Sequence, residues 1–239
     1  MMKKIIGIIG AMESEVDLLC KSMFKNKKTV ISGISFYSGM LDNQRVVIVK
    51  SGIGKVNAAI CTQILINNFS VTHIINTGIA GAMAKNLKVF DFVVSSSVVY
   101  HDVDLTAFNY KYGQIPQMPE QFNADETLVD VTFNTFEQMS FKNKHEIAKG
   151  LIASGDSFIN TMEKKNQIKK YFNPLCVEME GAAIAHVCHM NKIPFVIIRC
   201  LSDMADESVK STYKFNEDIC AQFCANFVIQ VIDNFNKLK

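Results

Sequence analysis

Apolar residues along the chain fall into short unbroken runs that alternate with longer stretches of helical period. Residues 4–10 form a continuous apolar run of strand length behind Lys4, the pattern of a strand covered on both faces. Residues 13–24 then carry Val16, Leu19 and Cys20 at helical spacing. Strand-like runs follow at 29–37 and 45–50, a helix at 56–68, a strand at 73–77 and a long β-branched run at 89–100 that has room to bend. The second half repeats the alternation: helix 124–139, strand 150–154, a Lys-rich helix 163–172, strand 175–177, helix 181–190 and strand 195–201. In the last stretch Ile219, Phe223, Phe227, Val231 and Phe235 lie four apart, which predicts one apolar face of a closing helix. Strands alternating with helices predict an α/β sheet covered on both sides. No Pro/Gly/Ser-rich linker, charge block or repeat divides residues 1–239, so a single domain is expected. Ligands of such sheets collect where strands end.

Composition narrows the partners. A hydrophobic share of 49% against 20% charged in 239 residues is that of a folded globule. A formal net charge of +2 gives no basic field for nucleic acid, and no apolar run reaches the ~18 residues of a membrane span. A small molecule or a second copy of the chain is the expected partner. Of the 25 basic residues only Arg45 and Arg199 are arginine, so several bidentate clamps on phosphate are hard to build. The abundance of Lys, Asn, Ile and Phe offers a plainer source for that scarcity, the base composition of the gene.

The seven cysteines (20, 61, 176, 188, 200, 220 and 224) are scattered without a C-x-x-C pair, and read as small buried apolar residues of a reducing, cytoplasmic setting. The basic start and short apolar stretch of residues 1–12 imitate a secretory signal. Glu13, Glu15 and Asp17 follow at once with no cleavage-like site, so no such signal is expected.

Several predicted strands end in a Gly-containing turn or polar cluster: 10–15, 51–55, 77–81, 154–158, 178–181 and 202–206. Glycine lets backbone approach a ligand closely, so these segments could share one pocket. None is a dinucleotide fingerprint or a Walker A loop. Singly, a carboxylate just after a strand is most often a helix cap. His186 and His189 have Cys188 between them but no carboxylate partner, and read as packing residues rather than metal ligands. Lys142, Lys144, Lys164, Lys165, Lys169 and Lys170 read as solvated faces.

Together and in order, Gly-Ala-Met-Glu-x-Glu at 10–15, Lys-Ser-Gly-Ile-Gly-Lys-Val at 50–56, Tyr-His-Asp-x-Asp at 100–104, Ser-Gly-Asp-x-Phe-Ile at 154–159, Val-Glu-Met-Glu at 177–180, Ala-His-Val-Cys-His at 185–189 and Ser-Asp-x-Ala-Asp at 202–206 resemble the nucleoside phosphorylase/hydrolase superfamily. The resemblance covers nearly the whole chain and is greatest to the bacterial 5'-methylthioadenosine/S-adenosylhomocysteine nucleosidases. It implies a nucleoside phosphorylase-like fold, a central twisted mixed β-sheet flanked by helices, and hydrolysis of adenine nucleosides without cofactor or metal.

By that resemblance Asp203 is the acid that protonates the departing adenine and Glu15 the base that activates water on the opposite face of the sugar. This is the logic of an inverting glycosidase. Glu180 would accept hydrogen bonds from the ribose hydroxyls and favour the developing cation. Phe158 would stack on the purine, Ile159 offer backbone hydrogen bonds to its edge, Gly81 lie close to the ligand and Met179 lie under the ribose. Met12, Ile53 and Phe215 would form the 5'-thio pocket, completed by Leu105, Phe108 and Pro116 from the second subunit of a homodimer. These three lie in residues 103–119, a stretch with little helical or strand period of the kind that often carries function. Arg199 and Ser202 would support the water and Asp203, while Ile79 stands where several relatives place a water-holding serine. The alternatives are phosphorolysis in the same fold, futalosine or aminofutalosine hydrolysis, and a binding protein that keeps the pocket without the chemistry.

Overall fold

The computed structural model describes residues 4–207 and 209–238, of which 209–215 only in their backbone. In chain order the elements are β1 (Ile5–Gly10), α1 (Glu13–Lys21), β2 (Phe24–Ile31), β3 (Ile34–Leu41), β4 (Gln44–Lys50), α2 (Lys55–Phe69), β5 (His73–Ala82), β6 (Phe92–Tyr100), β7 (Phe122–Asn123) and α3 (Glu126–Phe136). They continue with β8 (Ile147–Ser154), α4 (Met162–Phe172), β9 (Cys176–Glu178), α5 (Gly181–Asn191), β10 (Phe195–Asp203) and α6 (Val209–Lys237). The strands make one mixed sheet in the order β10-β6-β8-β9-β5-β1-β4-β3-β2, with β7 beside β6. A further pairing of β10 with β5 closes the first five of these into a ring. The apolar runs of β1, β5 and β10 are the ones the fold needs buried, because β1 lies between β4 and β5 and β5 between β1 and β10. Helices α1 and α6 pack together, α2 packs on α5, and α6 covers β10 and β5.

The predicted α/β class and mixed sheet hold; several local expectations are corrected. The single run expected at 29–37 is a hairpin. Ser32 (φ 52°) and Gly33 (φ 78°) both take left-handed backbone between Ile31 and Ile34, which pair across the turn. Two consecutive left-handed residues are the turn that matches strand twist, and apolar residues on both sides hid it. Helix α1 stops at Lys21, where the Ser22 amide donates to Leu18 O, so Phe24 opens β2 instead. The expected bend in the long run appears as an irregularity between Ser95 and Ser97 of β6.

The four-residue stripe of the closing helix is only half right. Each step of four advances about 40° on a helix of 3.6 residues per turn, so the stripe drifts. Phe227, Val231 and Phe235 are buried, but Ile219 and Phe223 are only half-buried, and the start of that face is Cys220, Ala221, Cys224 and Ala225. Six of the seven cysteines are buried free thiols and Cys20 is half-buried. His186 packs on Tyr100 and Phe122, and His189 on Phe122. Lys165 is not solvated: it is buried at 7% exposure. Among the described residues no helix is long and apolar enough to cross a membrane.

Candidate active site

The ends of β1, β5, β9 and β10 and the loops after β4 and β8 converge on a cavity of about 610 Å³ including its open mouth. Glu15 reaches it from the first turn of α1. One carboxylate oxygen accepts the amides of Ala11 (2.7 Å) and Met12 (3.0 Å), so Glu15 does cap its own helix. The other crosses to β5 and accepts the Ile79 amide at 3.0 Å. Burial pushes the Glu15 carboxyl above its ordinary value, opposed by the Arg199 guanidinium and the three amides.

The segment 77–81 is not a turn, as expected, but part of β5. Its glycines make room for carboxylates. A Cβ on Gly78 would stand 2.4 Å from Glu15 Oε1 and 3.0 Å from Arg199 Nη1, and one on Gly81 would stand 2.9 Å from Asp203 Oδ1. Asp203, the last residue of β10, accepts the Ser202 hydroxyl and the Ala205 amide, each at 2.8 Å. Burial raises its carboxyl; those two donors and Lys165 oppose the rise, while Asp206 adds to it.

Glu180 stands at the N-cap of α5 and accepts the Gly54 amide at 2.9 Å. Burial, then repulsion from Glu178, raises its carboxyl, against Arg199 and that amide. Arg199 is itself buried in β10, with Nη2 donating to Glu178 and Asn76 and lying 3.8 Å from Glu180. Burial disfavours its charge, but Glu178, Glu180 and Glu15 outweigh that and hold it protonated.

Residues 5–233 match the family model described as the phosphorylase superfamily. A 5'-methylthioadenosine/S-adenosylhomocysteine nucleosidase of Halalkalibacterium halodurans is 44% identical over 95% of this chain and 97% of its own length. The chain belongs to the 5'-methylthioadenosine/S-adenosylhomocysteine nucleosidase family. A crystal structure of such a nucleosidase from Colwellia psychrerythraea, in complex with adenine, superposes with a TM-score of 0.94 at 43% identity, covering 98% of this chain and 96% of that one. The native structure of futalosine hydrolase of Helicobacter pylori superposes at 0.91 with 32% identity, covering 97% and 98%.

In this member of the family the cavity is lined by most of the residues singled out from sequence. Glu15, Glu180 and Asp203 share it with Met12, Ile53, Gly81, Phe158, Ile159, Met179 and Ser202. Arg199 stands one layer behind, against Glu178 and Glu180. Leu105, Phe108 and Pro116 do not line the cavity of their own chain, and Phe108 is 72% exposed. The Phe215 side chain lies outside the described residues.

Sequence reasoning quoted Glu178 in a motif but gave it no task. In the fold it ties the site together, accepting from Arg199, the Ser154 hydroxyl and the amides of Glu180 (3.0 Å) and Gly181 (2.8 Å). A charge closing an apolar strand, in a chain with one core arginine, was the available signal. Lys55 was also missed. Its ammonium sits 2.7 Å from Asp102 and 3.8 Å from Asp156, pinning together at the rim the loops after β4, β6 and β8.

Proposed function

We propose that the protein hydrolyses the N-glycosidic bond of 5'-methylthioadenosine and S-adenosylhomocysteine, and of 5'-deoxyadenosine, releasing adenine and the corresponding ribose. The observation that carries this is the pair of buried carboxylates, Glu15 and Asp203, on one cavity beside a single arginine. The nucleosidases to which the chain is similar supply the substrates.

Adenine leaves poorly as an anion, so the C–N bond breaks as Asp203 gives its proton to the ring. An ordinary Asp, at pKa ~4, is ionised at neutral pH; burial of Asp203 favours the protonated form the step requires. The ribose turns cationic as the bond opens, and Glu180 faces that charge while accepting its hydroxyls. Glu15 takes a proton from water, whose oxygen bonds to the anomeric carbon. A base with a raised pKa is better matched to neutral pH than a free glutamate. Phe158 and Ile159 hold the purine, Met179 lies under the sugar, and Met12, Ile53 and Phe215 take the 5'-thio group. Arg199 and Ser202 position the water and Asp203.

Adenine release is the test. It should proceed at the same rate with and without inorganic phosphate, yielding the free sugar. Dependence on phosphate, with a pentose 1-phosphate product, would sink the hydrolase reading. The similarity to futalosine hydrolase favours a second activity on larger 5' substituents, since an apolar pocket rejects an added polar group by only ~10². Comparing kcat/KM across 5'-substituted adenosines ranks the two.

The active form is a homodimer in which Leu105, Phe108 and Pro116 complete the partner's thio pocket. Its support is the exposed apolar surface of Ile53, Val56, Ile60 and Phe108, which a second copy would cover. Activity per chain should fall on dilution below the dimer's dissociation constant; a constant specific activity down to the monomer range would refute this. The reaction serves methionine salvage and removal of S-adenosylmethionine by-products in the cytoplasm.

A further inference from the structure

Two segments that the proposed chemistry uses separately are joined behind the cavity. Residues 157–159, which line its purine side, run directly into α4, while Asp203 opens the loop 203–207. The first turns of α4 grip that loop at three points. The Met162 amide donates to Glu207 at 3.0 Å, the Lys165 ammonium donates to Met204 O, and the same ammonium lies 3.9 Å from Asp206. Between these points Ala205, buried and in left-handed backbone at φ 50°, gives its amide to Asp203. A non-glycine residue in that conformation is strained, its Cβ crowding the following carbonyl oxygen, so the turn that presents the amide needs holding from outside. Lys165 is the buried cation that does so.

We propose that Lys165 is a positioning residue for Asp203, fixing the 203–207 turn through Met204 O and Asp206 and setting the charge that Asp203 faces. The proposal rests on Asp203 being the proton donor. Among the described residues, the charged groups facing Asp203 are Asp206 from its own loop and Lys165 from α4; Lys165 in turn faces Asp206, Asp203 and Lys169. The lysine favours the ionised Asp203 and Asp206 disfavours it, so the two act with opposite sign on one proton. Burial draws the Lys165 ammonium below its ordinary value, with Asp206 opposing.

The test is adenine release from methylthioadenosine by the whole enzyme, with kcat/KM followed through the alkaline limb, where Asp203 loses its proton. Lys165→Met should lower kcat about 10- to 100-fold, as misplacing a reacting group does, with KM nearly unchanged. It should also move the limb to higher pH, because the cation favouring ionisation is gone. Lys165→Arg should restore both. Asp206→Asn removes the like charge and should move the limb to lower pH; it also carries the test if Lys165→Met does not fold. A merely structural lysine would lower the melting temperature and leave the limb in place. Limbs that coincide with wild type, or that move in the same direction in both variants, overturn the proposal while the hydrolase reading stands. Wild type that releases no adenine overturns both.

Discussion

At one end of the cavity three glutamates, Glu15, Glu178 and Glu180, surround one buried arginine; at the other, two aspartates, Asp203 and Asp206, share one buried lysine. Both ends confront the same difficulty, a carboxylate taken out of water, and meet it differently. Arg199 is always charged and forks between partners, and backbone amides reach Glu15, Glu178 and Glu180. That end sets three carboxyl groups around one fixed positive charge, on the side where the proposed cation forms. The Asp203 end has one amide and one hydroxyl on the carboxylate and a point charge further off. With fewer donors than Glu15 receives, less opposes the burial that favours the protonated form of Asp203. The difference teaches that Glu15 and Asp203, both raised by burial, are set apart by what opposes it: a guanidinium and three amides at Glu15, one amide, one hydroxyl and a more distant ammonium at Asp203.

The largest effect should come from removing the titrating oxygen at either end. Glu15→Gln and Asp203→Asn should each lower kcat/KM about 10²- to 10⁴-fold, with circular dichroism of a folded protein. Adenine release measured by absorbance checks this. A near-normal rate for either variant would break the assignment of base to the arginine end and acid to the lysine end.

A smaller and graded effect should come from the two glycines of β5. Adding a methyl group at Gly78 drives it to 2.4 Å from Glu15 Oε1, whereas at Gly81 the nearest approaches, to Asp203 Oδ1 and Ala205 Cβ, are 2.9 Å. Overpacking of this kind costs about 1–3 kcal/mol. Gly78→Ala should lose more kcat and more stability than Gly81→Ala, because Glu15 is tied by three amides and cannot move aside without breaking them. Urea unfolding and kcat on the two variants test the ranking. Equal losses would show that the two carboxylates are equally free to shift.

These glycines also mark where sequence reasoning stopped. Order and type of elements were legible because β1, β5 and β10 are apolar runs buried on both faces and the helices between them keep their period. The three carboxylates that share the cavity were legible through motifs, since each lies within a few residues of a strand end. What was not legible depends on partners distant in the chain. Gly78 looks like a turn residue until Glu15, 63 positions earlier, is seen to need its space. Lys165 looks solvated in a Lys-rich helix until the 203–207 loop closes over it. Glu178 is one of two similar glutamates until Arg199 picks it out. Ser32 and Gly33 were hidden for a local reason, apolar residues continuing through a two-residue turn.

The smallest effect concerns stability and has a sign opposite to that on activity. Asp203 has a folded-state pKa raised above its ordinary value, chiefly by burial. The folded protein therefore binds that proton more tightly than the unfolded chain does. The resulting stabilisation is fully present below pH ~4, the ordinary value of an aspartate, and is lost as pH rises through the raised value. At pH 7 the site holds a carboxyl that would be more stable uncharged, and Asn supplies an uncharged side chain of nearly the same shape. Asp203→Asn should thus melt above wild type at pH 7, and the gap should close toward pH 4, where wild type is protonated too. Calorimetric melts at the two pH values decide it. A variant that melts lower at pH 7 would mean that the Ala205 amide, the Ser202 hydroxyl and Lys165 together outweigh burial, and the contrast drawn between the weakly opposed Asp203 and the strongly opposed Glu15 would disappear.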